Sequence, residues 1–263
     1  MLKRTITAIV AVLFFFPFVI YGGWPLSIVM LLIGSIGLIE LLRMRKLTAY
    51  KVPVALAILL LWILLLPESF ITDVLSISVN KIDLLFTICI TVLSYTVLLK
   101  NKFTFDDAGF LILGTLYIGL GFHYFIASRE IGLEYVFFAI VVILITDTGA
   151  YFSGSLFGKH KLLPEISPKK TIEGAVGGAL MAIIAGTVFN FIFPVHDSWI
   201  VVMVVSFLAS LIGQTGDLVE SGLKRHYSVK DSGRLLPGHG GILDRFDSWL
   251  FVFPFLHLIQ FIG

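Results

Sequence analysis

The chain has 263 residues, of which 58% are hydrophobic and 14% are charged, and its formal net charge is +2. Soluble domains usually have about a quarter of their residues charged, so this composition excludes an ordinary soluble protein. It indicates a protein that crosses a membrane several times, with little length left for a soluble domain. The single cysteine, Cys89, excludes an intrachain disulfide, and we interpret it as a buried structural thiol.

Nine apolar segments follow one another along the chain. A transmembrane helix needs about 20 mostly apolar residues. Segments of this kind lie near residues 5–22, 25–42, 52–67, 83–99, 109–127, 133–157, 172–193, 198–223 and 241–262. We therefore predict an all-α, polytopic membrane protein with about nine transmembrane helices.

The distribution of basic residues predicts the orientation of these helices. Lys and Arg accumulate in the cytoplasmic loops of membrane proteins. If the N-terminus is cytoplasmic and the spans are nine, all of the 19 basic residues except Lys81 and Arg129 fall on the cytoplasmic side. A missed or extra span would move every later loop to the other side of the membrane and mix the basic residues between the two sides. We therefore expect a cytoplasmic N-terminus and a C-terminus outside.

Charge is placed differently in residues 1–128 and in residues 129–263. In the first part it is confined to loops, and Gly114, Gly119 and Gly121 are small residues that let membrane helices approach closely. We interpret this part as scaffold helices. In the second part, carboxylates lie within or beside the predicted spans: Asp147, Glu173, Asp217, Glu220, Asp244 and Asp247. A charge at such depth costs at least about 2.5–3.5 kcal/mol on insertion scales, so we expect the catalytic helices here.

Two predicted helices carry polar residues on one face. Asp147 and Tyr151 are four residues apart and therefore share a face, which predicts a polar cavity beside them. The alternative is that Asp147 only makes a hydrogen bond between helices. The eighth predicted helix has a polar stripe formed by Asp217, Glu220 or Ser221, and Lys224. This stripe should face a cavity and not lipid.

Lys169 and Lys170 lie where the sequence predicts the start of a helix. Ser167 is a plausible N-cap, and Pro168 would occupy the first helical position. The unpaired N–H groups of a helix N-terminus favour a bound phosphate, and the two lysines would add positive charge. Basic loops also contact anionic lipid without binding a substrate, and this alternative stays open.

The most polar stretch runs from Ser221 to Asp247. Its basic residues are Lys224, Arg225, Lys230, Arg234 and Arg245, and we interpret the first four as candidates to bind phosphate groups. Residues 237–241, Pro-Gly-His-Gly-Gly, predict a tight backbone that a ligand can approach closely. His239 is placed to contact such a ligand, or else it bonds a backbone carbonyl.

Paired aspartates end this stretch. Asp244 and Asp247 are three residues apart and should project together from the start of the ninth helix. With Asp217, and beside several Lys and Arg residues, they predict Mg²⁺ held by oxygen ligands and bridged to substrate phosphates. Neutralisation of the pair by Arg245 is the structural alternative. A zinc site is not expected, because the chain lacks close His pairs and a second cysteine.

Taken together, these residues resemble the phosphatidate cytidylyltransferase family, also called CDP-diacylglycerol synthases. The resemblance rests on Ser221, Lys224–Arg225, Lys230–Asp231, Pro237–Gly241 and Asp244–Asp247, and on the segments 146–152, 157–161, 167–174 and 214–221. It covers about residues 146–248, and the first part of the chain only in general character. It implies the conversion of phosphatidate and CTP into CDP-diacylglycerol and pyrophosphate, by a nine-helix homodimer in the cell (inner) membrane with its active site facing the cytoplasm.

The resemblance also implies roles for individual residues. The metal centre would be built on Asp217, Asp244 and Asp247, with Mg²⁺ and K⁺ as a second cation, and these aspartates with Lys224 are the predicted catalytic residues. The predicted substrate-binding residues are Asp147, Lys169, Lys170, Lys224, Arg225, Lys230, Arg234 and His239. CTP, phosphatidate and the lipid bilayer are the expected partners, and no nucleic acid is expected.

Three other functions compete with this interpretation. A CTP-dependent lipid kinase of the polyprenol or phytol type would also use CTP and a membrane lipid, but it would release CDP. An ion-coupled anion transporter would use carboxylates near the middle of the membrane. Against it, the charged cluster lies mainly on loops and helix ends of one side, and the first part of the chain has no matching cluster. A lipid-binding scaffold would leave the paired aspartates without a role.

Overall fold

The computed structural model describes residues 2–67, 80–235, 238 and 240–263, with only the backbone for residues 2–9. These residues are mostly helical, which confirms the all-α class. The helices are α1 (Leu2–Tyr21), α2 (Gly23–Met44), α3 (Lys51–Leu65), α4 (Lys81–Leu98), α5 (Phe105–Ile131), α6 (Leu133–Phe157), α7 (Ile172–Ile192), α8 (Trp199–His226), α9 (Leu243–Phe246) and α10 (Trp249–Leu258). A 3₁₀ turn (Leu47–Ala49) follows α2, and an antiparallel hairpin of β1 (Lys161–Leu163) and β2 (Ser167–Thr171) separates α6 from α7.

Among the described residues, six helices are long and apolar enough to cross a membrane, namely α2, α4, α5, α6, α7 and α8. They indicate an integral membrane protein. The other apolar helices, α3, α10 and residues 10–21 of α1, are shorter. The last predicted segment, 241–262, is not one continuous helix, because Asp247 and Ser248 separate the four residues of α9 from the ten of α10. Nine spans and the orientation of the termini stay predictions.

The chain divides into two compact units. Unit 1 comprises residues 1–126 and 232–243, and unit 2 comprises residues 127–231 and 244–263. The segment 232–243 thus packs with the first helices, although it follows α8 in the chain. The predicted division of roles, with a scaffold in residues 1–128 and a catalytic part in residues 129–263, concerns function and stays a prediction.

Helices of unit 2 approach one another backbone to backbone. A Cβ atom at Gly178 of α7 would lie 2.7 Å from the carbonyl oxygen of Thr146 in α6, and one at Gly174 would lie 2.8 Å from that of Ala150. Carbon and oxygen atoms do not approach so closely, so only glycine permits this contact between α6 and α7. The opposite face of α7 is apolar and exposed, and it includes Val176, Leu180, Ile184 and Val188.

Helices of unit 1 meet through side chains instead. A Cβ atom at Gly114 would lie 2.6 Å from Cδ2 of Leu41, and one at Gly119 would lie 2.6 Å from Cδ1 of Leu64. The expectation that Gly114 and Gly119 lie in close helix contacts is confirmed. In both cases the neighbouring atom is the end of a flexible leucine, so the packing has some freedom to adjust.

The predicted helix start at Ser167 is wrong. Ser167 and Pro168 lie on β2, where Thr171 pairs with Lys161 of β1, and α7 begins only at Ile172. Thr171 is the N-cap, because its Oγ1 accepts a hydrogen bond from the backbone N–H of Gly174 at 3.1 Å. Lys169 and Lys170 therefore project from a strand, and the expectation that they supplement a helix N-terminus is corrected.

Candidate active site

A cavity of about 350 Å³ lies in unit 2 between α6, the β-hairpin, the start of α7 and α8. We call it the hairpin cavity. Its polar and aromatic lining comes from Asp147, Tyr151, Lys169, Lys170, Gln214 and Asp217. Asp147 and Tyr151 line the same cavity, as their spacing predicts. The other walls are small or apolar, and include Ala150, Gly154 and Leu162.

Lys170 supplies positive charge to this cavity. Its Nζ lies 2.5 Å from Oδ2 of Asp217, and both side chains are only about one-third exposed or less. Asp217 also accepts a hydrogen bond from Oγ of Ser221, one turn further along α8, at 3.3 Å. Asp147 interacts electrostatically with both Asp217 and Lys170. Lys170 and Arg245 thus both supply positive charge near Asp147, while Lys170 contacts Asp217 directly.

A second lysine lies between two carboxylates. Nζ of Lys224 is 2.7 Å from Oδ1 of Asp244 and also forms an ion pair with Oε2 of Glu220, one turn earlier on α8. The side chains of Glu220 and Asp244 are 1% and 6% exposed. Within the described part of the chain, Oε1 of Glu220 has no hydrogen-bond partner. Burial without full pairing is costly for a carboxylate, so Lys224 supplies a counter-charge that both carboxylates need.

Asp247 lies against α8 because of a glycine. A Cβ atom at Gly216 would be 2.6 Å from the backbone oxygen of Asp247. The carboxylate of Asp247 accepts a hydrogen bond from the N–H of Ser248 at 2.7 Å and interacts electrostatically with Asp217 and Asp147. Gly216 therefore lets the residues after α9 touch the helix immediately before Asp217.

The C-terminal end of α8 borders a second, basic cavity. It has a volume of about 340 Å³ and is lined by Lys224, Arg225, Ser228, Val229 and Lys230. Nε of Arg225 donates a hydrogen bond to the backbone oxygen of Ile166 at 3.2 Å. This contact connects the end of α8, which borders the basic cavity, to the turn between β1 and β2.

Glu173, the remaining carboxylate of the polar segments, makes hydrogen bonds that stabilise a turn. It accepts hydrogen bonds from the backbone N–H groups of Lys159 and His160, and lies 2.6 Å from Nδ1 of His160. These bonds close the turn between α6 and β1. Glu173 does not line the hairpin cavity.

The structure brings most of the predicted site residues together in unit 2. Asp147, Lys169, Lys170 and Asp217 line the hairpin cavity, Lys224, Arg225 and Lys230 line the basic cavity, and Asp244 pairs with Lys224. Arg234 is exposed on the 232–243 segment of unit 1. His239 lies outside the described residues. Glu220 was expected, as an alternative to Ser221, on the polar stripe of the eighth helix but was given no role, although its spacing of four from Lys224 is a signal for an ion pair.

No metal cluster is formed by the side chains as they stand. In the part of the chain that the structure describes, no three His, Cys, Asp or Glu side chains are arranged to hold a metal ion. The predicted ligands Asp217 and Asp244 contact lysines instead. Their donor chemistry nevertheless fits a hard cation, because Mg²⁺ prefers carboxylate oxygens and Asp147, Asp217 and Asp247 interact electrostatically with one another.

Comparisons with known proteins extend over nearly the whole chain. The model of the cytidylyltransferase family matches residues 2–262. A phosphatidate cytidylyltransferase of Bacillus subtilis is 48% identical over 265 residues, which cover 98% of this chain and 97% of that protein. Proteins of the same name from Staphylococcus haemolyticus and Staphylococcus aureus (strain COL) are 47% and 44% identical over 256 residues, which cover 97% of each chain.

Proposed function

The chain belongs to the cytidylyltransferase family, and we propose that unit 2 holds the site where it makes CDP-diacylglycerol and pyrophosphate from phosphatidate and CTP. The family resemblance read from residues 146–248 is thereby confirmed. One observation carries the location: Lys224 lies between Glu220 and Asp244 and also lines the basic cavity. A cation held by acidic residues at a cavity wall is suited to meet substrate phosphates.

The reaction makes few demands for proton transfer. An oxygen of the phosphatidate phosphate forms a bond to the α-phosphorus of CTP, and the bond from that phosphorus to the bridging oxygen of the β-phosphate breaks. The leaving pyrophosphate takes the electron pair of the broken bond. The second pKa of a phosphate monoester is about 6, so the attacking oxygen of phosphatidate is already ionised at neutral pH. The protein must therefore orient two anions and neutralise their charge.

The lysines and arginines are placed to meet this demand. We assign Lys169 and Lys170 to phosphate groups in the hairpin cavity, and Lys224, Arg225 and Lys230 to phosphate groups in the basic cavity. Lysine acts as a compact point charge on a flexible stem, so Lys170 and Lys224 can turn from a carboxylate to a phosphate oxygen. Arg234 and His239 remain proposed substrate contacts from the segment between α8 and α9.

We propose Mg²⁺ as the cofactor, with Asp217, Asp244 and Asp247 as the residues that would hold it and K⁺ as a second cation. Support comes from three carboxylates, Asp147, Asp217 and Asp247, which interact electrostatically with one another near Lys170. When bound, the ion would neutralise and draw together the phosphates of the two substrates. Asp147 would complete the same acidic wall of the hairpin cavity.

Topology and assembly are also part of the proposal. Nine spans, a cytoplasmic N-terminus and an outer C-terminus follow from the distribution of basic residues. The same rule puts the β-hairpin and the end of α8, with both cavities, on the cytoplasmic side of the cell membrane. Water-soluble CTP would enter there, while the acyl chains of phosphatidate stay in the bilayer. We further propose a homodimer, on the family resemblance alone.

A product assay tests the proposed function. Purified protein is incubated with phosphatidate, CTP and Mg²⁺, and pyrophosphate and CDP-diacylglycerol are both measured. We expect equal amounts of the two products, and loss of both when EDTA removes divalent cations. Release of CDP with a polyprenol or phytol substrate would instead show a lipid kinase. Anion flux in liposomes without CTP would show a transporter.

A further inference from the structure

Unit 1 contains a buried carboxylate within a predicted span, which corrects the expectation that charge in residues 1–128 is confined to loops. Glu40, near the end of α2, is 3% exposed. Its Oε2 accepts a hydrogen bond from Oγ of Ser232 at 3.2 Å and another from the backbone N–H of Leu243 at 3.2 Å. These donors lie at the two ends of the segment 232–243. A single carboxylate of α2 therefore holds both ends of a segment that lies about 200 residues further along the chain.

Two glycines of the segment enclose this carboxylate. A Cβ atom at Gly233 would overlap Oε1 of Glu40, and one at Gly241 would overlap Oε2. Neither glycine has a positive φ, so no left-handed backbone requires glycine at these two positions. Their lack of a side chain is explained by the close approach of Glu40 itself.

Apolar contacts next to Glu40 also join α2 to the end of segment 232–243. Gly37 lies almost one helical turn before Glu40, and a Cβ atom there would be 3.3 Å from Cδ2 of Leu243 and 3.7 Å from Cγ2 of Ile242. Ile242 and Leu243 are 6% and 1% exposed. The face of α2 with Gly37 and Glu40 thus receives the end of the segment through both packing and hydrogen bonds.

We propose that Glu40 is a positioning residue for the reaction, which fixes segment 232–243 and thereby the backbone from which Asp244 follows. Leu243, whose N–H is bound by Glu40, is the first residue of α9 and directly precedes Asp244. The segment also carries Arg234 and His239. The inference rests on the proposed function, in which Asp244, Arg234 and His239 contact the metal or the substrates.

The first experiment measures the segment itself, in the purified full-length protein without substrates. Hydrogen exchange is followed across residues 232–243 in Glu40→Ala, Glu40→Gln and Ser27→Ala. Ser27 is a matched control, because it is a buried polar residue of α2 whose Oγ donates a local hydrogen bond to the backbone oxygen of Gly23. We expect exchange at Leu243 to be at least about tenfold faster in Glu40→Ala, a change that corresponds to about 1.4 kcal/mol.

Glu40→Gln should preserve much of the protection of Leu243 from hydrogen exchange, since one amide oxygen can accept both hydrogen bonds that Oε2 now accepts. Ser27→Ala should leave the exchange of the segment unchanged. Unchanged exchange in Glu40→Ala would overturn the proposal.

The second experiment measures CDP-diacylglycerol formation in the same variants. A displaced segment should raise the KM for CTP or phosphatidate, with kcat/KM falling about tenfold or more in Glu40→Ala and recovering to within about threefold in Glu40→Gln. A purely structural defect would reduce the active fraction and lower kcat alone. Faster exchange without any change in kcat or KM would overturn the positioning role, while the product assay on the unchanged protein would still decide the proposed function.

A double variant tests whether the carboxylate acts through the contact described. Gly233→Ala should lower kcat/KM about as much as Glu40→Ala does, because the new methyl group displaces the carboxylate. In Glu40→Ala/Gly233→Ala that methyl group has space, so the double variant should be no worse than Glu40→Ala alone. If the double variant instead lost kcat/KM by the product of the two single-variant factors, the proposal would be contradicted.

Discussion

Carboxylates that lie in the helices, fully or partly buried, have different partners in the two compact units. In unit 1, Glu40 accepts hydrogen bonds from a hydroxyl group and a backbone N–H. In unit 2, Asp217 and Asp244 contact the ammonium groups of Lys170 and Lys224. A backbone N–H cannot leave its place without moving the chain, whereas a lysine side chain can turn to another anion. A carboxylate thus holds the backbone in place in unit 1, whereas in unit 2 it pairs with lysines that can exchange it for another anion.

The glycines of the two units differ in a parallel way. In unit 1, Gly114 and Gly119 give space to the ends of leucine side chains, while in unit 2, Gly178 and Gly216 give space to backbone oxygens. Leucine ends can shift by a few tenths of an ångström at low cost, but packed backbones cannot. Unit 2 therefore combines close packing of backbones with lysines on flexible stems, a combination that suits a site for two charged substrates.

The largest effect should come from the aspartates of unit 2. Asp244→Asn and Asp247→Asn keep the side-chain shape but remove the charge that would hold a cation, so we expect kcat to fall on the order of 10²- to 10³-fold. The rate of CDP-diacylglycerol formation measures the loss, and thermal unfolding checks that the fold is kept. Asp197→Asn, an exposed residue before α8, is the matched control and should stay active. Near-normal turnover of both variants at saturating Mg²⁺ would contradict the metal assignment.

The exchangeable lysines should have the next largest effect. Lys170→Ala and Lys224→Ala should raise the KM for CTP or phosphatidate by about 10- to 100-fold, since each removes a full charge from a cavity wall. The substrate whose KM rises identifies which phosphate each lysine meets. Lys161→Ala is the control, because Lys161 lies on the same hairpin but lines neither cavity. A change in protein yield alone would favour the alternative in which the basic loops only contact lipid.

A glycine pair tests the difference in backbone packing. In Gly216→Ala the new methyl group meets the backbone oxygen of Asp247, so we expect a loss of about 1–3 kcal/mol in stability and a lower kcat. In Gly114→Ala it meets only Cδ2 of Leu41, so the loss should stay below about 1 kcal/mol with kcat unchanged. Thermal unfolding and turnover are measured for both. Equal losses of stability and kcat in the two variants would contradict the difference in backbone packing between the two units.

The smallest effect should come from a surface ion pair of unit 1. Nε of Arg45 lies 2.8 Å from Oδ1 of Asp107, with both side chains partly exposed. Such pairs contribute roughly 0–1 kcal/mol, so Arg45→Ala should lower stability within that range and leave kcat and KM unchanged. Urea or thermal unfolding in detergent measures the change. A marked loss of activity would mean that charge in unit 1 takes part in the reaction beyond Glu40.

Residues whose partners are close in sequence were predictable. Asp217, Ser221 and Lys224 lie on one face of α8 because a helix repeats about every 3.6 residues, and the structure shows the Asp217–Ser221 bond that this spacing allows. Except for the last run, 241–262, the apolar runs likewise predicted the helices to within a few residues. The family was also predictable, because its motifs lie in short continuous segments.

Residues whose partners are distant were not predictable from local pattern. Glu40 and its partners Ser232 and Leu243 are separated by 192 and 203 positions, and no periodicity links them. The start of α7 was misjudged for a related reason, since Ser167 and Pro168 have helix-start character but pair with β1 instead. The break between α9 and α10 lies inside an apolar run, so hydropathy alone did not show it.

The contact of α6 with α7 has a consequence for the order of folding. Asp147, Tyr151, Lys169 and Lys170 all lie within one stretch of α6, the β-hairpin and α7, so most of the polar lining of the hairpin cavity comes from neighbours in sequence. Contacts between neighbours in sequence form faster than contacts between distant segments. We expect this helical pair to assemble during synthesis as soon as α7 has left the ribosome, and the cavity to await only α8 for its last acidic residue.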